Sequence, residues 1–351
     1  MKTQHRLFFA DARHMSSVAD ESVDLVVTSP PYPMISMWDE LFCRASRAVR
    51  RALESDDGER AFELMHRRLD TVWDECYRSL RKGGLICINI GDATRTLDSR
   101  FGLYPNHARI LQHLRKRGFT ALPDILWRKP TNAPNKFMGS GVLPVGAYVT
   151  LEHEYILIAR KGAKREFVGE AAKKERRESA LFWEERNSWY SDVWTDLTGT
   201  GQGLSPGAAR SRSAAYPFEL AYRLVNMFSL KNDTVLDPFL GTGTTMLAAM
   251  AAQRHSIGFE LDTSLRSTIA DSCIDIVKQA NAYIDARLDR HAQFVAEREV
   301  KHRNRRYGFG VVSAQERDIA LSALNGIRAV ENDAYEVRYT AHKKNGRSAR
   351  P

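Results

Sequence analysis

Residues 24–32 read Asp24-Leu25-Val26-Val27-Thr28-Ser29-Pro30-Pro31-Tyr32, and the fold is decided by how this stretch is taken. An aliphatic run that ends at two prolines is a buried strand handing the chain to a rigid turn, because proline fixes its own φ and has no N–H to give to a sheet. Each proline also holds the residue before it extended, so the carbonyls of Ser29 and Pro30 point in nearly fixed directions. In an open α/β sheet, ligands bind beyond the carboxyl ends of the strands, where this turn falls. A hydroxyl, two aimed carbonyls and the aromatic face of Tyr32 suit a flat heterocycle that carries an amino group. The same residues also make an ordinary exit from a sheet, so the turn alone leaves both readings open.

A second stretch, Thr234-Val235-Leu236-Asp237-Pro238-Phe239-Leu240-Gly241-Thr242-Gly243-Thr244-Thr245, reads as a strand, a glycine turn and the start of an alanine-rich helix. Glycines at 241 and 243 permit a close backbone approach that a Cβ would block, and the helix start aims free N–H groups at an anion. Glu260 ends the next strand, His255-Ser256-Ile257-Gly258-Phe259, about 20 residues on, the separation that sets a carboxylate on ribose hydroxyls. A dinucleotide site competes for these residues. It fails on detail: Met246 stands where a third glycine is needed, and Asp237 would repel a pyrophosphate.

Together the two stretches resemble the amino-methyltransferases of DNA, through the Ser-Pro-Pro-Tyr turn and the Phe-x-Gly-x-Gly loop. The order, catalytic turn first and cofactor loop late, is similar to the permuted β group of that family. The resemblance implies a class I methyltransferase fold in α/β form: a circularly permuted, seven-stranded, mostly parallel sheet with helices on both faces. Leu7, Leu25, Leu85, Ile125, Tyr155, Val235 and Ile257 mark seven candidate strands. It also implies S-adenosylmethionine as cofactor, held by Asp11, Thr28, Asp237, Pro238, Phe239, Gly241, Gly243, Thr244 and Glu260, with Pro217, Phe218 and Glu219 at its methionine end. Ser29, Pro30, Pro31 and Tyr32 become the catalytic residues, the serine hydroxyl and the carbonyls accepting N–H bonds while Tyr32 stacks on a base flipped from duplex DNA. Serine at 29, where adenine-directed relatives commonly carry aspartate, resembles the cytosine-N4 subgroup; adenine N6 is the alternative, followed by an RNA methyltransferase or a non-catalytic DNA-binding protein. No cysteine follows a proline as ring-carbon methylation requires, so the acceptor should be an amino nitrogen.

Between the two stretches, residues 34–80 carry helical spacing in at least two helices, broken at Ser55-Asp56-Asp57-Gly58, with Asp57 as a cap and Trp73 and Met65 as core. Arg81-Lys82-Gly83-Gly84 should stop the second helix ahead of a strand at Leu85, and a helix over 106–117 should end at Gly118. The turn-rich loop at 129–146 and the basic, aromatic region at 161–215, with Trp183, Trp189, Tyr190 and Trp194, are expected to face DNA; Lys129, Asn132, Asn135, Lys136, Arg210 and Arg212 are the candidate contacts. The organisation then runs 1–33 for the first strands and turn, including a strand over 6–12, 34–80 for a helical insertion, 81–160 for the rest of the catalytic half and 161–215 for target recognition. The cofactor half occupies 216–284, and 285–351 is a basic helical extension whose tail, 345–351, is expected to be disordered.

At 351 residues and 43% hydrophobic content the chain suits a large α/β core, too polar for a membrane span. The opening residues leave no room for a signal peptide, which implies a cytoplasmic protein. Cys43, Cys76, Cys87 and Cys273 lack metal-type spacing, so reduced thiols and no structural metal are expected. A net charge of +9 fits a partner made of phosphates, here double-stranded DNA, with a restriction endonuclease as a functional partner and a monomer or homodimer as the assembly.

Overall fold

Two strands open the computed structural model, which describes residues 1–129, 138–198, 216–331 and 333–342: Lys2–Phe8 (β1) and Val23–Thr28 (β2). Every side chain of β2 is buried, as the aliphatic run demands of a strand covered on both faces. The chain then forms three helices, Asp39–Ala45 (α1), Arg47–Glu54 (α2) and Gly58–Ser79 (α3). Asp57 caps α3, its Oδ1 accepting from Arg60 N at 3.1 Å. Leu80–Ile90 (β3), a hairpin of Ala93–Leu97 (β4) and Arg100–Tyr104 (β5), and Asn106–Arg117 (α4) follow, α4 ending at Gly118 with φ 112°. Phe119–Ala121 (β6), Ile125–Arg128 (β7) and His153–Lys161 (β8) complete this half.

The second half begins with Gly169–Glu178 (α5), Trp183–Trp189 (α6) and the short Val193–Trp194 (β9). Next come Phe218–Phe228 (α7), Thr234–Asp237 (β10), Thr244–Ala251 (α8), His255–Phe259 (β11) and the long Arg266–Ala296 (α9). A small ladder, His302–Arg303 (β12) with Gly310–Val311 (β13), precedes Ser322–Glu331 (β14) and Ala334–Ala341 (β15).

The main sheet runs β14-β15-β1-β11-β10-β2-β3-β8-β7-β9, with β6 also on β8. Its centre, β1-β11-β10-β2-β3, is parallel, and β8 lies antiparallel on β3. Side chains alternate between faces along each strand. Leu25 and Val27 accordingly join a core with α7, α8 and α9, while Val26 joins the opposite core with α3 and α4. All seven expected strands are present, within an eleven-stranded mixed sheet whose parallel centre is covered by helices on both faces.

Four expectations are corrected. The extension after 285 is not helical throughout: α9 stops at Ala296, and β15 pairs antiparallel with β1 to widen the sheet. The alternation Tyr335-Glu336-Val337-Arg338-Tyr339, with Val337 and Tyr339 buried, was the signal, masked by the surrounding charge. The first strand spans β1, not 6–12, because Ala10 and Asp11 turn away after Phe8 accepts from Glu260 N at 3.0 Å. Arg81 to Gly84 belong to β3, whose first residues pair with β2 across a register shift. Trp189 and Trp194 are core residues, not a nucleic-acid surface, whereas Trp183 and Tyr190 are exposed. The tail beyond 342 lies outside the described residues.

Candidate active site

The two decisive stretches meet at the middle of the sheet. β10 pairs parallel with β2, Val235 beside Leu25 and Leu236 beside Val26, so Thr28 and Asp237 leave the sheet side by side. Thr28 Oγ1 donates to Asp237 Oδ1 at 2.6 Å, a bond between residues 209 positions apart. The Asp237 carboxylate also accepts from Phe239 N at 3.0 Å, Thr245 Oγ1 at 2.6 Å and the Tyr216 hydroxyl at 3.3 Å. Burial pushes this carboxyl above the usual range, and the four donors work against that shift.

Beyond these strand ends lies a cavity of about 330 Å³. Ser29, Pro30 and Pro31 form one wall; Asp237, Pro238, Phe239, Gly241 and Thr244 form the facing wall, with Glu260 and Asp11 at the sides. Gly241 takes φ 56°, which a side chain would strain, and its N–H donates to Glu260 Oε2 at 2.8 Å. Glu260 Oε1 accepts from Asp262 N at 2.8 Å, and burial raises this carboxyl above the usual range. Asp11 is buried enough to lift its carboxyl, yet the hydrogen bonds and charge of Arg13, Nη2 to Oδ2 at 2.6 Å, hold it below the usual range. The lining is mainly apolar, with the carboxylates of Asp11, Asp237, Glu260 and Asp262 among it. That donor set fits a nucleoside carrying hydroxyls and a cationic, partly apolar tail.

The model for DNA methylases matches residues 23–271, spanning both walls of the cavity. The chain belongs to this family of DNA methylases. The type II methyltransferase M.MthZI of Methanothermobacter thermautotrophicus is 49% identical over 340 residues, 97% of this chain and 96% of that one. M.MjaI of Methanocaldococcus jannaschii is 49% identical over 280 residues, 77% and 91% of the two chains. Among solved structures, a candidate DNA modification methylase of Thermus thermophilus, complexed with S-adenosyl-L-methionine, superposes with a TM-score of 0.59 at 33% identity, covering 76% of this chain and 92% of that one.

Within the methylase, Thr28 and Gly243 support the cavity from behind and do not line it. Pro217, Phe218 and Glu219 also stay out of its walls. Phe218 stacks on Tyr222, and Glu219 binds Arg223 and Tyr283, both turned toward α9 by that packing; Tyr216 takes the cavity position instead. The sequence reading missed Arg13, Arg68 and Asp262, which carry no motif, and Trp38, Leu41 and Phe42, which bring the helical insertion against the cavity.

Tyr32 is corrected in one respect. Its ring is 5% exposed and absent from the cavity wall, because its hydroxyl is drawn inward. It donates to Glu154 Oε2 at 2.9 Å and accepts from Asn89 Nδ2 at 2.8 Å and Ser29 Oγ at 3.1 Å. Burial and then the Glu154 charge raise the phenol well above its usual value. Lys129 is corrected as well. Rather than facing phosphates, it is buried, with Nζ 2.8 Å from Glu154 Oε1. Asn132, Asn135, Lys136, Arg210 and Arg212 lie outside the described residues. No helix among the described residues is long and apolar enough to cross a membrane.

Proposed function

We propose that this methylase transfers the methyl group of S-adenosylmethionine to the exocyclic N4 of a cytosine turned out of duplex DNA. The observation that carries the reading is Ser29, a neutral acceptor, in the cavity wall facing Asp237 and the Gly241 turn. When bound, the cofactor supplies an electrophilic methyl group on a sulfonium. The chain's own part is to hold and aim the partners. Glu260 and Asp262 are suited to ribose hydroxyls, and Phe239 and Pro238 to the flat base. The Ser29 hydroxyl and the Ser29 and Pro30 carbonyls accept the target's N–H bonds, which draws the nitrogen lone pair out of ring conjugation and toward the methyl. Orientation of that kind is worth several kcal/mol, on the order of a thousandfold in rate. Turning the base out is required because an amino group within the stack has no in-line approach to the donor.

Lys129 being buried, phosphate contacts fall to other polar and basic residues, with Asn132, Asn135, Lys136, Arg210 and Arg212 the sequence candidates. A partner endonuclease follows from the type II relatives and belongs to the same proposal. The test incubates the purified protein and tritium-labelled cofactor with unmethylated plasmid DNA and with RNA, then digests the product to nucleosides. N4-methylcytosine from DNA is the expected product. N6-methyladenine would overturn the base assignment, label in RNA alone would overturn the substrate, and no transfer would overturn catalysis.

A further inference from the structure

Glu154 opens β8 beneath the catalytic turn and has no place in the mechanism above. Its carboxylate is buried, 3% exposed, and three donors among the described residues reach it. Lys129 Nζ reaches Oε1 at 2.8 Å, while the Tyr32 hydroxyl at 2.9 Å and Asn89 Nδ2 at 2.6 Å both reach Oε2. An ionised carboxylate only accepts. The Tyr32 proton must therefore point to Glu154, which leaves the phenolic oxygen as an acceptor. Two lone pairs remain there, and Asn89 Nδ2 takes one. The Ser29 hydroxyl, 3.1 Å away, takes the other by donating its own proton inward. Ser29 Oγ is then left with lone pairs alone toward the cavity that it lines.

The geometry points to Glu154 as a positioning residue for specificity: through Tyr32 it fixes Ser29 as an acceptor, so the site takes a ring amino group and rejects a ring carbonyl. A hydroxyl free to rotate serves either partner. One whose proton is committed elsewhere serves only a donor, and a ring oxygen set against it leaves two acceptors facing each other without a bridging proton. Lys129 completes the device, because its charge keeps the far oxygen of Glu154 occupied and the carboxylate ionised in a buried place. Among the described residues Asn89 Oδ1 has no hydrogen-bond partner, so that amide can turn over if the pattern reverses.

This assignment rests on Ser29 accepting the target N–H, and the experiment separates the two claims. Glu154→Gln keeps the shape, but Lys129 claims the amide oxygen and leaves the NH2 group facing Tyr32, with Asn89 Oδ1 as its second acceptor. A turned Asn89 Oδ1 would also take the Tyr32 proton, so the variants are made in an Asn89→Leu background, where among the described residues Ser29 is left to accept that proton and in turn donates its own into the cavity against the amino group. Turnover is measured as tritium transfer from labelled S-adenosylmethionine to unmethylated plasmid DNA, cofactor affinity by calorimetry, and folding by circular dichroism. In that background E154Q should lose about 100-fold in kcat with cofactor affinity within about twofold of its parent. Tyr32→Phe, which releases the Ser29 proton without reversing it, should lose about tenfold. The double variant should match Y32F, so that adding Y32F to E154Q restores about tenfold. A merely structural Glu154 would leave the double variant no more active than E154Q, because Y32F would then restore nothing. A double variant at or below the activity of E154Q, or an E154Q within threefold of its Asn89→Leu parent, overturns the assignment. Should E154Q fail to fold, Y32F alone decides: tenfold loss at unchanged cofactor affinity supports it, and a loss below twofold overturns it. If wild type itself makes no methylated nucleoside, the proposed function fails first; a failed rescue beside a normal wild-type product overturns only the role of Glu154.

Discussion

Thr28→Val removes a side-chain bond that ties the catalytic strand to the cofactor strand at their carboxyl ends. Thr28 is fully buried, and its hydroxyl sits 2.6 Å from the Asp237 carboxylate. A hydrogen bond to a charged group contributes about 1.5–3 kcal/mol. The replacement methyl would also stand well inside the roughly 3.5–4 Å that carbon prefers. The strand ends must therefore part slightly, and crowding of this kind adds about 1 kcal/mol or more. The expected cost is roughly 2–4 kcal/mol, which at about 2 °C per kcal/mol for a large domain lowers the unfolding midpoint by roughly 4–8 °C. Thr28→Ser keeps the hydroxyl and should lose less than half as much. Thermal unfolding followed by circular dichroism at pH 7.5 gives the midpoints, and cofactor calorimetry shows whether the Asp237 wall has moved. If T28V unfolds within about 1 °C of wild type, or if T28S proves the worse of the two, the bond is not what joins the strands.

Glu260→Gln should weaken cofactor binding about tenfold by calorimetry while kcat at saturating cofactor falls much less, since its carboxylate both shapes the Gly241 turn and faces the cavity; a change below twofold would remove it from the site. Lys129→Met removes a cation 2.8 Å from the buried Glu154 carboxylate and should cost about 3 kcal/mol of stability. The salt dependence of DNA binding should keep its slope, because a lost phosphate contact would lower that slope by about one. Asp24, buried beside Asp233, has its carboxyl raised to about 7 despite Arg81 and Arg165. The native state then holds this proton where the unfolded chain has released it, so the contribution is largest below about pH 4 and falls as pH rises toward 7. Asp24→Asn should flatten the decline of the unfolding midpoint between pH 5 and 7, and an unchanged slope would contradict the assignment.

The parts of this molecule that were legible in its sequence are those where one local rule fixes the outcome. Two prolines end β2, Asp57 caps α3, and Gly118 closes α4 in a left-handed conformation. Asp237, Gly241 and Glu260 came together because a strand, turn, helix and strand leave a carboxylate only one place to go. What stayed hidden depends on contacts distant in sequence. Nothing around Arg13, Arg68 or Asp262 marks them as cavity residues, and the aromatics of α6 and β9 look like a binding surface until α7 and α9 cover Trp189 and Trp194. Lys129 looked like a phosphate contact for the same reason, its partner Glu154 being 25 positions away on the antiparallel neighbour β8. Tyr32 was placed in the right turn, but the inward pull on its hydroxyl comes from β3 and β8, which no local pattern announces.

The seating of β1 carries a consequence for how the protein is born. Its neighbours, β11 and β15, come from the last hundred residues of the chain, and β2 likewise waits for β10. While the ribosome is still making the middle of the polypeptide, β1 has neither flanking strand and β2, apolar on both faces, has an open edge. Such edges invite pairing with other chains. Slow synthesis, or a truncation ahead of Thr234, should therefore yield aggregate instead of a stable half-enzyme, and shielding of the nascent first half becomes a condition of obtaining the whole.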